Sequence, residues 1–297
     1  MHFGLPAVPT AAAAVTAASV LPDPASWIPR GFLLALFLYA LNRNVRPPLG
    51  WDVFRESTVP GGEVEILGVG RHSATVVFVH GLGANAAQLT PFVRRLSKHL
   101  AQVAFVLPSA KYLPLTVKRG VPIPAWFDIL TLPPNVTSPM PTREDQLGME
   151  LAISRMHGIV HDQVERKGID EDRIVLAGFS QGCAVALLSA LSYPGKLGGV
   201  VCLSGWLPLA SKIRTEGDRS KHPLQSGHAH EMPVFWGHGT ADLVVYHHWA
   251  QESVAHLHRM GFANISFHAY SGMRHDVWRA DLETDLRAWL QDRLPPI

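Results

Sequence analysis

The 297-residue chain is poor in cysteine and in charge, and each shortage excludes a class of protein. Its two cysteines, Cys183 and Cys202, are too few for a disulfide-dense scaffold. Both fall in predicted core elements, so we expect buried thiols rather than a disulfide, as suits a reducing compartment. A formal net charge of +2, without basic runs interleaved with aromatic residues, argues against a nucleic-acid partner. The hydrophobic content of 47% is enough for a sizeable core.

The first 50 residues lack an apolar run that is long enough to cross a membrane alone. Their longest run, Phe32–Leu41, has ten residues between Arg30 and Arg43, whereas a spanning helix needs about 20. Three interpretations stay open: a peripheral or signal-type anchor, an organellar targeting extension, or a segment that docks on the domain. We expect a cytoplasmic protein, and the anchor interpretation adds peripheral membrane contact through residues 28–43.

Beyond this segment the sequence alternates between predicted strands and helices. Short apolar runs such as Ala74–His80 and Gln102–Pro108 indicate strands that are buried on both faces. Residues 62–69 alternate in hydropathy and predict an edge strand. This order predicts an α/β fold with a mostly parallel sheet that is covered by helices on both faces. We assign residues 1–60 to an N-terminal extension and residues 61–297 to one α/β domain.

Local signals predict the ends of two helices. The helix over Thr90–Ala101 is expected to carry Pro91 in its first turn, where proline is tolerated. The next helix is expected to begin near Thr142, whose spacing to Asp145 suits a capping box, and to end at Gly168.

Three polar residues follow three different predicted strands, in the chain order serine, aspartate, histidine. Ser180 lies in a G-x-S-x-G turn between a strand and a helix, Asp242 follows the run PVFWG, and His275 follows the run ISFHAY. Functional groups in open α/β sheets cluster beyond the carboxyl ends of the strands. The order is that of the α/β-hydrolase triad, so it predicts an α/β-hydrolase fold with a serine nucleophile.

The residue types suit nucleophilic catalysis. His275 would take the hydroxyl proton of Ser180 and deliver it to the leaving group, while Asp242 would orient the imidazole. Gly178 and Gly182 would leave room for the sharp turn that carries the serine. These roles make the chain a candidate hydrolase.

An oxyanion in such a site needs backbone donors at fixed positions. The N–H of Gln181 is the first candidate, because the helix that begins after Ser180 aims its amino-terminal dipole at the site. The N–H of Leu82, in the glycine-rich turn after the strand Ala74–Val79, is the second candidate.

The same turn also matches the dinucleotide fingerprint G-x-G-x-x-A over Gly81–Ala86. A nicotinamide-binding oxidoreductase is therefore a remote alternative from another class of enzyme. Such a site needs an acidic residue about 20 positions further on, and no Asp or Glu occurs between Gly81 and Phe127. A catalytically inactive hydrolase fold used for binding is a third class, but no member of the triad is missing.

Other polar residues have structural interpretations. Asp128 is a rival third acid, and we expect a structural or substrate-loop carboxylate. His80 and His238 each precede a glycine turn, and we expect them to pack against or orient loops. No metal-binding motif supports the remaining candidates, which are His228, His230, His247 and His248. We therefore predict neither a metal nor a cofactor.

Six motifs together resemble the acyl-protein thioesterase and lysophospholipase group of small carboxylesterases. They occur in the family's order over residues 64–297: FVHGLG, PAWFDI, GIDEDRIVLAGFSQG, LSGWLPL, GHGTADLVV and YSGMRHDV. The resemblance implies a cofactor-free serine hydrolase that uses the three residues named above as its triad and the same two oxyanion donors.

The resemblance also implies the substrates. The family cleaves acyl thioesters of S-palmitoylated proteins, lysophospholipids and simple esters, so the expected partners are acylated proteins, lysolipids or esters. A generic short-chain carboxylesterase is the alternative. The acyl group would enter a hydrophobic channel whose expected lining is Leu113, Leu115, Val117, Val121, Ile123, Trp126, Trp206 and Leu207; apolar side chains that merely cover the core are the other interpretation. Two departures affect the expected preference: Cys183 replaces a glycine, and Lys118 and Arg119 replace polar lid residues.

Overall fold

The computed structural model describes residues 55–59, 63–67, 72–133, 135–213 and 228–297. The strands in these ranges are β1 Arg55–Val59, β2 Glu63–Leu67, β3 Ala74–Val79, β4 Val103–Leu107, β5 Tyr112–Leu115, β6 Val121–Pro124, β7 Ile174–Phe179, β8 Gly199–Leu203, β9 Val234–Gly239 and β10 Ile265–Tyr270. The α-helices are α1 Ala86–Ser97, α2 Gln146–Glu165, α3 Gln181–Ser192, α4 His247–Arg259 and α5 Ala280–Arg293. The predicted membrane-contact segment, residues 28–43, lies outside the described residues.

Eight of these strands form one sheet in the order β1-β2-β4-β3-β7-β8-β9-β10. The pairs β1–β2 and β2–β4 are antiparallel, and all the other pairs are parallel, which confirms the predicted mostly parallel sheet. The prediction of β2 as an edge strand is wrong, because β1 pairs along its outer side. The sheet therefore takes in five residues of the stretch assigned to the extension.

Helices cover both faces of the sheet, as predicted. On one face, Met156 of α2, Leu187 of α3 and Trp249 of α4 belong to one buried apolar cluster. On the other face, Phe92 of α1 and Leu286 of α5 belong to a second cluster. Each such side chain contributes about 1.5–3 kcal/mol when fully buried. Among the described residues, no helix combines the length and the hydropathy that crossing a membrane requires.

Both predicted helix starts are wrong, for a common reason. Helix α1 begins at Ala86, because Asn85 and Gln88 form a reciprocal capping box, and Pro91 lies inside the helix. Helix α2 begins at Gln146, because the carboxylate of Asp145 caps the N–H of Gly148. In both cases an Asn or Asp cap outcompetes the signal on which the prediction relied.

The two cysteines are joined, so the expectation of buried thiols is wrong. Cys183 lies in the first turn of α3 and Cys202 lies in β8, and a disulfide links them. Because α3 packs directly on β8, their Cα atoms are 4.7 Å apart, within the usual disulfide range of about 4.4–6.8 Å. The cysteine argument for a reducing compartment therefore loses its basis.

Candidate active site

Ser180 occupies a strained turn between β7 and α3. Its backbone φ of 55° lies in the left-handed region that residues with a side chain avoid. Gly178 and Gly182 make the turn feasible: a Cβ atom on Gly178 would collide with the carbonyl oxygen of Gly182, and one on Gly182 would collide with that of Val79. The steric role predicted for both glycines is confirmed.

The side chains of Ser180, His275 and Asp242 form a continuous hydrogen-bonded chain, called the candidate triad below. Oγ of Ser180 is 2.9 Å from Nε2 of His275, and Nδ1 of His275 is 2.7 Å from Oδ2 of Asp242. Since an ionised carboxylate only accepts, the proton of the neutral imidazole lies on Nδ1 and Nε2 can accept from the hydroxyl. The structure thus brings together all three residues that the chain order predicted.

The carboxylate of Asp242 is fully buried and surrounded by donors. It accepts hydrogen bonds from the backbone N–H groups of Val244 and Val245 and from His275, and Nε2 of His238 lies 3.4 Å away. Burial alone raises the pKa of the Asp242 carboxyl, but the hydrogen bonds from His238 and His275 outweigh it and hold this pKa below its usual range. The side chain therefore stays ionised at neutral pH and can stabilise an imidazolium.

The two predicted oxyanion donors belong to segments beside the Ser180 turn. Gln181 is the first residue of α3, so its N–H has no partner within the helix. Leu82 follows Gly81, which packs so closely on the turn that an added Cβ atom would be 3.2 Å from Cβ of Ser180. The positive end of the α3 dipole lies at the same place. A negative charge that develops at Ser180 would therefore meet favourable partial charges.

The side chain of Gln181 has a second role that the sequence did not indicate. Its Oε1 accepts from the backbone N–H of Trp126 at 3.0 Å, and its Nε2 donates to the carbonyl oxygen of Phe127 at 2.8 Å. The indole N–H of Trp126 donates to the carbonyl oxygen of His80 at 2.8 Å. Trp126, predicted to contact substrate, is thus buried with its polar groups bonded inside the protein. Its contact with substrate stays a prediction.

A cleft of about 260 Å³, open solvent included, lies between the segment that follows β6, the start of α2 and the segment that follows β8. Its apolar lining includes Phe127, Ile129, Leu130, Pro141, Met149 and Trp206. An added Cβ atom on Gly205, which precedes Trp206, would be 3.1 Å from the carbonyl oxygen of Ser180. Of the other predicted channel residues, Leu115 and Leu207 are buried and Val117 is half-buried, and none of the three lines this cleft.

Glu144 supports the cleft, and the sequence did not point to it. Its carboxylate accepts the backbone N–H of Leu209 at 2.7 Å and the indole N–H of Trp206 at 3.4 Å. Burial raises the pKa of the Glu144 carboxyl, although the bonds from Leu209 and Trp206 act in the opposite direction. Because its partners lie 62 and 65 residues further along the chain, no local motif reveals this contact.

The rival candidates have structural partners. Asp128 accepts the backbone N–H and the hydroxyl of Thr116, so it ties the connection between β5 and β6 to the segment after β6, as expected. The ring of His248 lies 2.9 Å from the carbonyl oxygen of Ser138. Within the described ranges, no three His, Cys, Asp or Glu side chains are grouped so as to hold a metal ion. The turn that matches the dinucleotide fingerprint packs on Ser180.

Comparisons with known proteins agree with this geometry. Residues 64–291 match the phospholipase/carboxylesterase family. Acyl-protein thioesterase 1 of Cryptococcus neoformans is 37% identical over 235 residues, which cover 75% of this chain and 93% of that relative. A probable carboxylesterase of Oryza sativa subsp. japonica is 34% identical over 227 residues, which cover 75% and 79%. The crystal structure of Zea mays acyl-protein thioesterase 2 superposes with a TM-score of 0.67 at 28% identity and covers 79% of this chain and 100% of that one.

The family match contains the whole candidate triad and both oxyanion segments. The fold, the hydrogen-bonded triad and the relatives therefore lead to the same chemistry. The protein is a serine hydrolase that acts on acyl esters or thioesters, and the chain belongs to the phospholipase/carboxylesterase family of the α/β-hydrolases.

Proposed function

We propose that this chain hydrolyses long-chain acyl thioesters, with S-acylated proteins as its main substrates and lysophospholipids as a second class. One observation carries the proposal. The candidate triad is complete, with 2.9 Å between Ser180 and His275 and 2.7 Å between His275 and Asp242. The chain that carries it matches 93% of the length of a relative named acyl-protein thioesterase 1.

The acylation step follows from the hydrogen bonds of the candidate triad. Oγ of Ser180 attacks the acyl carbonyl carbon while Nε2 of His275 takes the hydroxyl proton. The N–H groups of Leu82 and Gln181 stabilise the negative charge that develops on the carbonyl oxygen. The carbon–sulfur bond then breaks, the imidazolium protonates the departing thiolate, and the acyl group stays on Ser180. Asp242 stabilises the imidazolium throughout.

Deacylation uses the same groups in the second half of the cycle. His275 takes a proton from a water molecule, whose oxygen attacks the acyl carbonyl carbon. The bond from the carbon to Oγ of Ser180 breaks, and the imidazolium returns the proton to that oxygen. The fatty acid leaves, and the enzyme is restored without any change in oxidation state.

The apolar cleft gives a rule for acyl chain length. Burial of each methylene contributes about 0.8 kcal/mol, so kcat/KM is expected to rise about fourfold per methylene while the chain still enters the cleft. The cleft's volume of about 260 Å³ includes open solvent, so the enclosed space is small. The rise is therefore expected to level off once the cleft is filled.

A chain-length series tests the proposal. Nitrophenyl esters from acetate to palmitate would be assayed beside a palmitoyl-peptide thioester, with Ser180→Ala as the inactive control. We expect kcat/KM to increase with chain length before it levels off, and the peptide thioester to be cleaved by the wild-type chain alone. Maximal activity on acetate or butyrate, with the peptide thioester left intact, would contradict the proposal.

A short-chain carboxylesterase is the second candidate, because the described cleft encloses little space for a long acyl chain. The likeness to a relative named probable carboxylesterase supports it as well. Under this alternative, activity in the same series would fall beyond short acyl chains. One experiment therefore separates the two candidates.

We further propose peripheral membrane contact through residues 28–43, on the support of the sequence alone. The run Phe32–Leu41 would enter the membrane interface, and Arg30 and Arg43 would remain among the headgroups. Fractionation of cells that express the full chain, a Leu36→Asp variant and a variant without residues 1–50 tests this idea. We expect both variants to leave the membrane fraction. An unchanged distribution would refute the contact.

A further inference from the structure

His80 is fully buried directly after β3, and both of its ring nitrogens are engaged. The backbone N–H of Ala110 lies 2.9 Å from Nε2, and the carbonyl oxygen of Gly81 lies 2.8 Å from Nδ1. Since an amide N–H only donates and a carbonyl oxygen only accepts, the proton must lie on Nδ1. Burial lowers the pKa of the His80 imidazole, in keeping with this neutral form. The ring therefore donates to Gly81.

This hydrogen bond acts on one end of a rigid unit. The carbonyl of Gly81 and the N–H of Leu82 belong to the same peptide group, which is trans and planar. The two groups of a trans peptide point in opposite directions, so a donor that holds the carbonyl oxygen also sets the direction of the N–H. The backbone N–H of Ala84 donates to the same oxygen at 3.2 Å.

From this geometry we propose that His80 is a positioning residue for the oxyanion site. Its Nδ1–H holds the Gly81 carbonyl away from Ser180 and thereby aims the Leu82 N–H at the acyl oxygen. Gly81 has no side chain to restrain the peptide, so its carbonyl is held by hydrogen bonds, of which the one from His80 is the shorter. The proposal rests on the serine hydrolase mechanism described above.

His80 also connects the two oxyanion donors. Its ring packs against Trp126 with the centroids 5.0 Å apart, and the indole N–H of Trp126 donates to its carbonyl oxygen. The backbone N–H of Trp126 donates in turn to the side chain of Gln181, whose own N–H is the other donor. One buried residue therefore ties together both halves of the oxyanion site.

The effect of His80 should appear in the chemical step rather than in substrate binding. The carbonyl oxygen becomes an oxyanion only as the tetrahedral intermediate forms, so a misaligned Leu82 N–H weakens binding of that state. Complete loss of one oxyanion donor lowers kcat by about 10²–10³-fold, which is the upper limit for a residue that only aims the donor.

Two variants of similar polarity separate aiming from packing. His80→Asn places an amide N–H near the position of Nδ1, so it can still donate to the Gly81 carbonyl, but it cannot reach the N–H of Ala110. His80→Gln extends to the position of Nε2, so it can still meet Ala110 but loses the donor to Gly81. Each variant thus keeps one of the two ring contacts.

The test measures kcat and KM on nitrophenyl octanoate, together with inhibition by a trifluoromethyl ketone of the same chain length and by octanoate. The ketone forms a tetrahedral oxyanion on Ser180, and octanoate reports binding of the acyl chain. We expect His80→Gln to lose about 10–100-fold in kcat and in affinity for the ketone, within the range for a displaced oxyanion donor. KM and octanoate inhibition should stay within about twofold, and His80→Asn should recover most of the loss.

Three results would overturn the proposal: equal kcat in the two variants, a larger loss in His80→Asn, or losses that follow the melting temperatures. Wild-type turnover of nitrophenyl octanoate and its absence in Ser180→Ala establish the hydrolase separately. A failure of the thioester proposal therefore leaves the test of His80 intact.

Discussion

Two serine–histidine–aspartate sets can be compared in the described part of the molecule. Besides the candidate triad, Ser266 and His268 of β10 and Asp285 of α5 form a second set, called the edge set below. Oγ of Ser266 is 2.8 Å from Nε2 of His268, nearly the same as the 2.9 Å distance in the candidate triad. Nδ1 of His268 is 3.4 Å from Oδ2 of Asp285, against 2.7 Å in the candidate triad.

The two sets differ in their surroundings far more than in their distances. The acid of the candidate triad has no exposed side-chain surface, whereas 40% of the Asp285 side chain is exposed. The hydroxyl of Tyr270 also donates a hydrogen bond to Oδ2 of Asp285, the atom that faces His268. Ser266 lies inside a strand, whereas Ser180 occupies a strained turn at the amino terminus of a helix. We therefore expect that a short serine–histidine distance does not suffice for a nucleophile, which also needs the strained turn and the buried acid.

Replacement of the two serines gives the largest expected contrast. Ser180→Ala should lower kcat by about 10⁴-fold or more, because it removes the nucleophile that the rest of the site serves. Ser266→Ala should change kcat by less than about twofold, which is negligible beside the loss in Ser180→Ala. Steady-state assays and labelling with a fluorophosphonate would measure both variants. Label that persists in Ser180→Ala and maps to Ser266 would show that the edge set also holds a reactive serine.

Replacement of the two acids gives a smaller contrast. Asp242→Asn should lower kcat by about 10³–10⁴-fold, because the amide no longer holds His275 in the productive tautomer. Asp285→Asn is the matched control at a partly exposed position and should keep wild-type kcat. Both variants should fold, and circular dichroism would check this before the kinetic assay. A comparable loss in Asp285→Asn would show that the edge set influences catalysis.

The turn itself can be tested by adding one methyl group. Gly178→Ala should destabilise the fold by at least about 1–3 kcal/mol, because its Cβ atom meets backbone atoms that have no room to move. Gly158→Ala is the control on helix α2, where no atom lies within 4 Å of the added group. Alanine should stabilise that helix by about 0.5–1 kcal/mol. Urea denaturation measures both changes, and equal midpoints would contradict the steric role of Gly178.

Acid sensitivity is the smallest expected effect. The pKa of Asp242 is depressed in the folded chain, so the unfolded chain binds the proton more readily and stability rises with pH in that window. The stabilisation is complete above the unfolded pKa of about 3.9 and is lost as the pH falls toward the folded value. Between about pH 5 and about pH 3, Asp242→Asn should therefore lose unfolding free energy less steeply than wild type. Ser180→Ala keeps the carboxylate and should follow wild type.

Most of the candidate site could be predicted from the sequence, because its residues follow strands in a fixed order. An apolar run and a glycine-containing turn mark the position of each triad residue in the sequence: Ser180, Asp242 and His275. The parallel sheet then brings those turns to one edge. The steric need for Gly178 and Gly182 follows from the same local argument.

The rest depended on contacts that no local pattern encodes. The disulfide of Cys183 and Cys202 arises from the packing of α3 on β8, and the supports from Glu144 and Gln181 join segments more than 50 residues apart. Helix starts were misplaced because caps at Asn85 and Asp145 fix them, and the predictions relied on Pro91 and Thr142 instead. The edge set shows another limit of the sequence: its serine, histidine and aspartate are the same residue types as those of the candidate triad, so residue type alone does not identify a catalytic group.

The wide spacing of the candidate triad has a consequence for the folding of the chain. Ser180 and His275 are 95 residues apart, and the histidine follows β10, which pairs with β9 alone among the described strands. The imidazole can reach the hydroxyl only after these two strands have joined the rest of the sheet. The rate at which refolding molecules become reactive therefore reports when β9 and β10 join the sheet.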